Sequence, residues 1–155
     1  MQTDIIQVHK LLIRKKKTVA VAESCTGGLL SSLLTDLPGS SVFFLLGVVA
    51  YSNKAKRDIL KIPAGLIKKH GAVSSQVAVA MAQNVRRRAG ADLGIGITGI
   101  AGPGGGTPDK PVGTVYIAAA SKSVKICKKF RFRADRSGVR RKSAAAALSL
   151  LGSFP

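Results

Sequence analysis

The stretch Ala22-Glu23-Ser24-Cys25-Thr26-Gly27-Gly28 determines how the rest of the chain is interpreted. It follows an apolar run that predicts a buried strand over residues 18–23, and it leads into a run that predicts a helix over residues 26–36. In α/β proteins, a turn of small residues between a strand and a helix often carries reactive side chains. Ser24 and Cys25 are therefore candidate nucleophiles.

The same turn offers backbone donors. If the helix begins at Thr26, the amides of Thr26, Gly27 and Gly28 point along its axis and can stabilise an oxyanion or a phosphate. A glycine-rich turn in which Thr26 merely caps the helix is the structural alternative.

Length and composition favour one globular domain, which we expect to span residues 1–155. The chain is 46% hydrophobic and has 17 glycines, and no apolar run approaches the roughly 20 residues of a membrane span. Residues 1–10 are polar where a signal peptide would be apolar, and the two cysteines, Cys25 and Cys127, form no zinc or disulfide pattern. We therefore expect a cytoplasmic protein with no membrane association.

The charge is strongly basic, with 25 Lys and Arg against 7 acidic residues and a net charge of +18. Weak, non-specific binding to polyanions is therefore expected, and a nucleic-acid-associated protein is the alternative function. Two observations weigh against that alternative. The basic clusters at residues 14–17 and 86–88 fall at predicted helix ends, where cations complement the helix dipole, and aromatic residues make up only 5% of the chain.

Hydrophobic periodicity predicts alternating helices and strands along the chain. Helices are predicted over residues 3–16, 26–36, 52–60, 64–70, 74–90 and 135–151, and strands over 18–23, 42–51, 92–98, 113–121 and 124–133. The strand over 42–51 is continuously apolar, which is typical of a strand covered on both faces, whereas the alternation in 130–133 places the last strand near an edge. We predict an α/β fold: a single three-layer α/β/α sandwich with a mixed sheet and a C-terminal β-hairpin plus helix.

The counts of catalytic residue types limit the chemistry. The chain has two histidines, one on a predicted helix surface and one at a helix end, so a Ser-His-Asp triad is disfavoured. One glutamate excludes a pair of glutamates of the glycosidase type, and no cluster of ligands predicts a metal site. A base for Ser24 must then be Lys, Tyr or Asp.

Lys56 is the candidate base. It lies in Tyr51-Ser52-Asn53-Lys54-Ala55-Lys56, which follows the second predicted strand, at the same sheet edge as Ser24 if the two strands are parallel. A lysine acts as a base only when neutral, and partial burial together with the cations Lys54 and Arg57 would lower its pKa. An ordinary solvated helix lysine is the alternative.

Two glycine-rich stretches resemble nucleotide-binding motifs only superficially. Residues 94–99 match GxGxxG but lie within a predicted strand, so they do not predict a dinucleotide site. The loop at residues 102–106 lacks the Gly-Lys-Ser/Thr of a P-loop. That loop predicts either an anion-binding nest or a flexible surface loop.

Taken together, these stretches resemble the CinA C-terminal domain family, the nicotinamide-nucleotide amidases. The resemblance runs from about residue 18 to 151 and rests on four stretches in order. They are AESCTGG at 22–28, YSNKAK at 51–56, ITGIAGPGGG with KPVGTV at 97–115, and DRSGVR at 135–140. It implies hydrolysis of the carboxamide of nicotinamide mononucleotide, a step of pyridine nucleotide recycling, without a metal or other cofactor.

The resemblance also implies roles for individual residues. Ser24 is expected to be the nucleophile, Lys56 its base, and Tyr51 a residue that orients or relays. We assign the oxyanion to the amides of Thr26, Gly27 and Gly28 or to the turn of Thr98 and Gly99. We assign the 5′-phosphate to Arg140 and the glycine loop that contains Gly102 and Gly104. The opposite assignment of the glycine turns is the alternative.

Other implications concern assembly and departures from the family. Members often associate, so a homo-oligomer is expected, and larger members carry an N-terminal molybdopterin-binding-like domain that we do not expect here. Leu45-Leu46 and Lys54 depart from the usual family residues, as does the high positive charge. A hydrolase that uses Cys25 as its nucleophile is the second rival.

Overall fold

A five-stranded mixed sheet lies between two helical layers in the computed structural model, which describes residues 2–155. The strands are β1 (Val19–Glu23), β2 (Phe44–Val49), β3 (Leu93–Gly99), β4 (Thr114–Ala120) and β5 (Lys125–Arg131). The helices are α1 (Gln2–Lys15), α2 (Leu29–Thr35), α3 (Asn53–Asp58), α4 (Ala64–His70), α5 (Ser75–Ala89) and α6 (Arg136–Ser153), with a 3-10 turn at Ser40–Val42. The predicted sandwich with its C-terminal hairpin and helix is confirmed.

The strand order creates a crevice at one end of the sheet. The order is β2-β1-β3-β4-β5, with β1, β2 and β3 parallel and the last two strands antiparallel to their neighbours. The chain therefore goes from β1 to one neighbour and later returns to the other. Ligands of α/β sheets bind at the carboxyl ends of the strands beside such a reversal, and Ser24 directly follows β1 there.

The helices divide between the two faces of the sheet. The apolar side chains of α1, α2 and α6 form one core, and those of α4 and α5, with the residues after α3, form the other. On the second face α5 lies almost against the backbone of β3. A Cβ atom at Gly94 or Gly96 would overlap carbonyl oxygens of α5, which is why the strand carries glycines there. Among residues 2–155, no helix is long and apolar enough to cross a membrane.

The expectation that the second strand is covered on both faces is wrong. β2 is an edge strand whose side chains alternate between half-buried and exposed. Leu45 and Val49 remain 46% and 47% exposed. The predicted edge position of the last strand is confirmed.

The second helix begins three residues later than predicted. Gly28 precedes α2 with φ of +95°, a left-handed conformation that cannot continue a helix and that glycine adopts without strain. Thr26 and Gly27 therefore belong to a turn between β1 and α2.

Candidate active site

Backbone hydrogen bonds hold Ser24 at the carboxyl end of β1. Its amide donates to the carbonyl of Ile97 in β3 at 3.0 Å, and its own carbonyl accepts from the amide of Gly27 at 3.0 Å. The residue is only 7% exposed. The nucleophile candidate is thus fixed between two strands and the turn before α2.

Lys56 lies on α3 and reaches Ser24. Its Nζ is 2.9 Å from the Oγ of Ser24, and it donates to the carbonyls of Ala50 at 3.0 Å and Tyr51 at 3.1 Å. A neutral amine has two N–H bonds and one lone pair. Because the two carbonyls accept the two N–H bonds, the lone pair is left for the hydroxyl of Ser24, which is the geometry a lysine base requires.

Burial lowers the pKa of Lys56, which favours the neutral form that a base requires. Lys56 is 2% exposed, and desolvation lowers its pKa below the ordinary 10.5. The cations that we expected to contribute are not the cause: Lys54 is paired with Asp58 on the helix surface, and its side chain is 78% exposed.

The lowered pKa predicts a pH dependence. Only neutral Lys56 accepts a proton, so kcat/KM for an amide substrate should rise as pH rises through the pKa of Lys56 and then level off. Because desolvation lowers that pKa, the midpoint of the rise should fall below pH 10.5. The profile is measured on initial rates of ammonia release. A rate that falls with pH over this range would contradict a neutral-lysine base.

Cys25 is a poor rival nucleophile. Burial raises the pKa of its thiol to about 11, and the thiolate rather than the thiol is the reactive form. At neutral pH Cys25 is therefore protonated, although it lies beside Ser24 in the same cavity.

The amides assigned to the oxyanion are largely engaged elsewhere. The amide of Gly28 donates to the carboxylate of Glu23, and that of Gly27 donates to the Ser24 carbonyl. Within residues 2–155, the amides of Cys25 and Thr26 find no acceptor in another residue. These two are the donors that the turn leaves available, and the first follows the nucleophile directly, as in a nucleophile elbow.

Ser24 and Lys56 open into a cavity of about 220 Å³. Its polar lining includes Ser24, Cys25, Tyr51, Asn53, Lys56, Thr98 and Arg136. The sequence patterns did not single out Asn53 and Arg136, although both lie in the stretches that carry the family resemblance. No carboxylate is part of this lining.

Tyr51 contacts the site in two separate ways. Its carbonyl accepts from Lys56, whereas its phenol, on a side chain 58% exposed, accepts from Nη2 of Arg136 at 3.0 Å. Nη1 of Arg136 donates to the carbonyl of Gly102 at 2.8 Å. The structure thus brings the backbone of Tyr51, and not its hydroxyl, to the lysine.

The remaining predicted residues divide between the cavity and its surroundings. Thr98 and Gly99 line the cavity, and the hydroxyl of Thr98 donates to the carbonyl of Ala72 at 2.8 Å. Gly104 is exposed and outside the lining. Arg140 also lies outside it, and its Nη2 donates to the carbonyl of Thr26 at 2.9 Å. Among the described residues, no three His, Cys, Asp or Glu side chains meet where a metal ion could sit.

Comparisons with known proteins agree with this architecture. The family model of the CinA C-terminal domain matches residues 2–154. A CinA-like protein of Anaeromyxobacter dehalogenans is 53% identical over 140 residues, which are 90% of this chain and 34% of that protein. A CinA-like protein of Syntrophotalea carbinolica is 50% identical over 144 residues, 93% of this chain and 35% of that protein. The chain thus spans about a third of the length of these relatives.

Solved structures match more completely. Competence damage-inducible protein A of Klebsiella pneumoniae superposes with a TM-score of 0.95 at 33% identity, covering 99% of this chain and 95% of that one. A competence/damage inducible protein of Agrobacterium tumefaciens gives 0.90 at 37% identity, covering 96% and 93%. The chain belongs to the CinA C-terminal domain family.

Proposed function

We propose that this chain is a metal-independent amidase that hydrolyses the carboxamide of nicotinamide mononucleotide to nicotinic acid mononucleotide and ammonia. The observation that carries the proposal is the contact of 2.9 Å between Lys56 Nζ and Ser24 Oγ, with the amine's two N–H bonds directed to carbonyls. The family resemblance supplies the substrate, because the geometry alone specifies only a serine nucleophile with a lysine base.

The reaction follows from these positions. Ser24 Oγ attacks the carboxamide carbon while Lys56 takes its proton, and the resulting oxyanion is stabilised by the amides of Cys25 and Thr26. Lys56 then returns the proton to the departing nitrogen, which leaves as ammonia and an acyl ester on Ser24. Water, deprotonated by the same lysine, then attacks the ester. As the bond between the acyl carbon and Ser24 Oγ breaks, Lys56 returns this proton to Oγ, and the acid product is released and ionises.

The cavity also accounts for an anionic substrate. Arg136 lines the cavity, whose lining contains no carboxylate, and a guanidinium binds phosphate through paired N–H groups. We assign the 5′-phosphate to Arg136. Arg140, four residues further along α6, lies outside that lining. Both arginines donate to a backbone carbonyl, Arg136 to that of Gly102 and Arg140 to that of Thr26, and the second contact supports the turn around the nucleophile.

Replacing Arg136 should weaken binding of the phosphate. For Arg136→Gln we expect KM for nicotinamide mononucleotide to rise at least about tenfold, because a charge-assisted hydrogen bond contributes about 1.5–3 kcal/mol. KM for nicotinamide riboside, which lacks the phosphate, should change much less. Arg141→Gln removes the same charge from an exposed neighbour and serves as the control. An equal rise in KM for both substrates would contradict the assignment.

Ammonia release from nicotinamide mononucleotide tests the proposed function. The wild type is assayed beside Ser24→Ala, Lys56→Ala and Cys25→Ala, with folding checked by circular dichroism. Release that is lost in the first two variants and kept in the third supports the serine–lysine pair. Loss in Cys25→Ala with retention in Ser24→Ala would instead support a cysteine hydrolase, and a folded wild type that releases no ammonia would refute the amidase.

A nucleic-acid-associated function is the second candidate, and β5 favours it. Four of its seven residues, Lys125, Lys128, Lys129 and Arg131, are cations, and within the described part of the chain none of them pairs with a carboxylate. Cations on an edge strand also prevent edge-to-edge pairing, which explains them without a partner. DNA binding that survives moderate salt would support this function, whereas binding lost in salt indicates adhesion by net charge.

Self-association stays a prediction. If two copies associate, β2 offers an uncharged edge. Residues 37–53 contain no charged side chain, and Val42, Leu45, Val49 and Tyr51 are exposed there. Light scattering gives the molar mass of the wild type and of Leu45→Glu. If copies associate through this edge, the mass of the variant should be the smaller of the two.

A further inference from the structure

Glu23 is a buried carboxylate next to the nucleophile that the reaction scheme does not use. It is the last residue of β1, it directly precedes Ser24, and it is fully buried. Its Oε2 accepts from the amides of Gly28 at 3.2 Å and Leu30 at 3.0 Å. Its Oε1 accepts from the amide of Ser31 at 2.8 Å and from the Ser31 hydroxyl at 2.7 Å.

These bonds connect a strand to a helix across the nucleophile turn. The positive end of a helix dipole stabilises an anion, and helices commonly obtain it from a residue at their own first turn. In this chain the carboxylate belongs to β1, five to eight residues before the donors. The four hydrogen bonds therefore close a loop that contains Ser24 and Cys25.

The turn inside that loop connects Ser24 to α2 through backbone hydrogen bonds from Gly27 to Ser24 and from Leu29 to Thr26. Two consecutive glycines, Gly27 and Gly28, have φ of +59° and +95°, and glycine is the residue that loses most conformational freedom on folding. The α2 side of the turn is held by the carboxylate and, at Thr26, by Arg140. Movement of α2 relative to β1 would shift the backbone that carries Ser24.

We propose that Glu23 is a positioning residue: by binding the first turn of α2, its carboxylate keeps the Oγ of Ser24 within hydrogen-bond distance of Lys56 Nζ. The kinetic part of this inference rests on the proposed amidase function, whereas the positional part does not. The carboxylate of Glu23 also occupies the amides at the start of α2, which therefore do not bind a substrate anion. The oxyanion is then stabilised by the amides of Cys25 and Thr26, which are nearer to Ser24.

Glu23→Gln is the test, because it keeps the shape and removes the charge. Each carboxylate oxygen accepts two donors, so an amide NH₂ in place of either oxygen leaves at least one backbone N–H without an acceptor. We expect kcat for nicotinamide mononucleotide to fall about ten- to a hundredfold, as for a displacement of a reacting group by up to about 1 Å. KM should change little, since the phosphate site on α6 is untouched.

Two further variants separate positioning from stability. Val85→Ala truncates a fully buried side chain of α5 and lowers stability without contact to the turn, so its kcat should equal that of the wild type. Ser31→Ala removes one of the four hydrogen bonds and should give an intermediate kcat. If Glu23→Gln fails to fold, the kcat of Ser31→Ala tests the proposal in its place. A kcat of Ser31→Ala equal to that of Val85→Ala would then refute the positioning role.

A crystal structure of Glu23→Gln gives a readout that needs no activity. The proposal expects Ser24 Oγ to lie beyond hydrogen-bond distance of Lys56 Nζ in this variant and within it in Val85→Ala. An unchanged contact, or a kcat that matches Val85→Ala, overturns the positioning role. If the wild type releases no ammonia, the amidase proposal fails by itself and the distance still decides the role of Glu23.

Discussion

Lys56→Arg is expected to hydrolyse nicotinamide mononucleotide about a thousandfold more slowly than the wild type, the middle of the range for losing a general base. Arginine keeps the positive charge and stays protonated at every pH at which the protein works, so it has no neutral form to accept the proton of Ser24. The planar guanidinium also does not fit a site built for one amine between two carbonyls, in which the side chain is 2% exposed. kcat is measured at saturating substrate by ammonia release.

Lys54→Arg is the matched control for this substitution. Lys54 lies two residues earlier on α3, is exposed, and pairs with Asp58, a contact that arginine can keep. Its kcat should stay at the wild-type value. Loss of a general base should leave about a hundredth of the wild-type kcat or less. If Lys56→Arg retained more than about a tenth, the lysine would only be holding Ser24 in place.

The pairing of Ser24 with Lys56 could be predicted from the sequence because it depends only on strand order and direction. The two residues are 32 positions apart, yet both follow strands that pair in parallel, so both lie at one end of the sheet. Of the two predicted causes of the lowered pKa of Lys56, burial is confirmed and the neighbouring cations are not, and the extent of burial could not be predicted in the same way. Burial of a side chain depends on packing around it, whereas neighbouring cations are visible in the sequence.

Side-chain direction at the cavity could not be predicted from the sequence. Arg136 and Arg140 are four residues apart on one helix and share a face, so the spacing cannot tell which of them reaches the substrate. The contacts of Glu23 could not be predicted for a related reason. The sequence patterns for helix capping concern residues at the start of the helix itself, whereas in this chain the carboxylate that accepts from the first turn of α2 belongs to β1. The apolar run of β2 likewise does not distinguish an edge strand from a central one.

Gly96→Ala should destabilise the fold by about 3 kcal/mol, the upper end of the usual cost of overpacking. An added Cβ would overlap the Ala78 carbonyl oxygen and lie 2.6 Å from the amide nitrogen of Ala82 and 2.9 Å from Cβ of Met81. Two of these three atoms belong to the helix backbone, so no side-chain rotation relieves the overlap. α5 would have to move away from β3, and with it the buried alanines that pack on β4. The free energy of unfolding is measured in urea.

Gly65→Ala is the control with the opposite expected sign. Gly65 lies in α4 with no heavy atom within 4 Å of an added Cβ, so alanine should change stability by less than about 1 kcal/mol, in the stabilising direction. If Gly96→Ala cost no more than Gly65→Ala, α5 could shift on the sheet, and close packing would not explain the GxGxxG stretch. A large cost at Gly96 alone would establish that these glycines serve helix–strand approach, which is a structural requirement of the sheet and not a nucleotide signature.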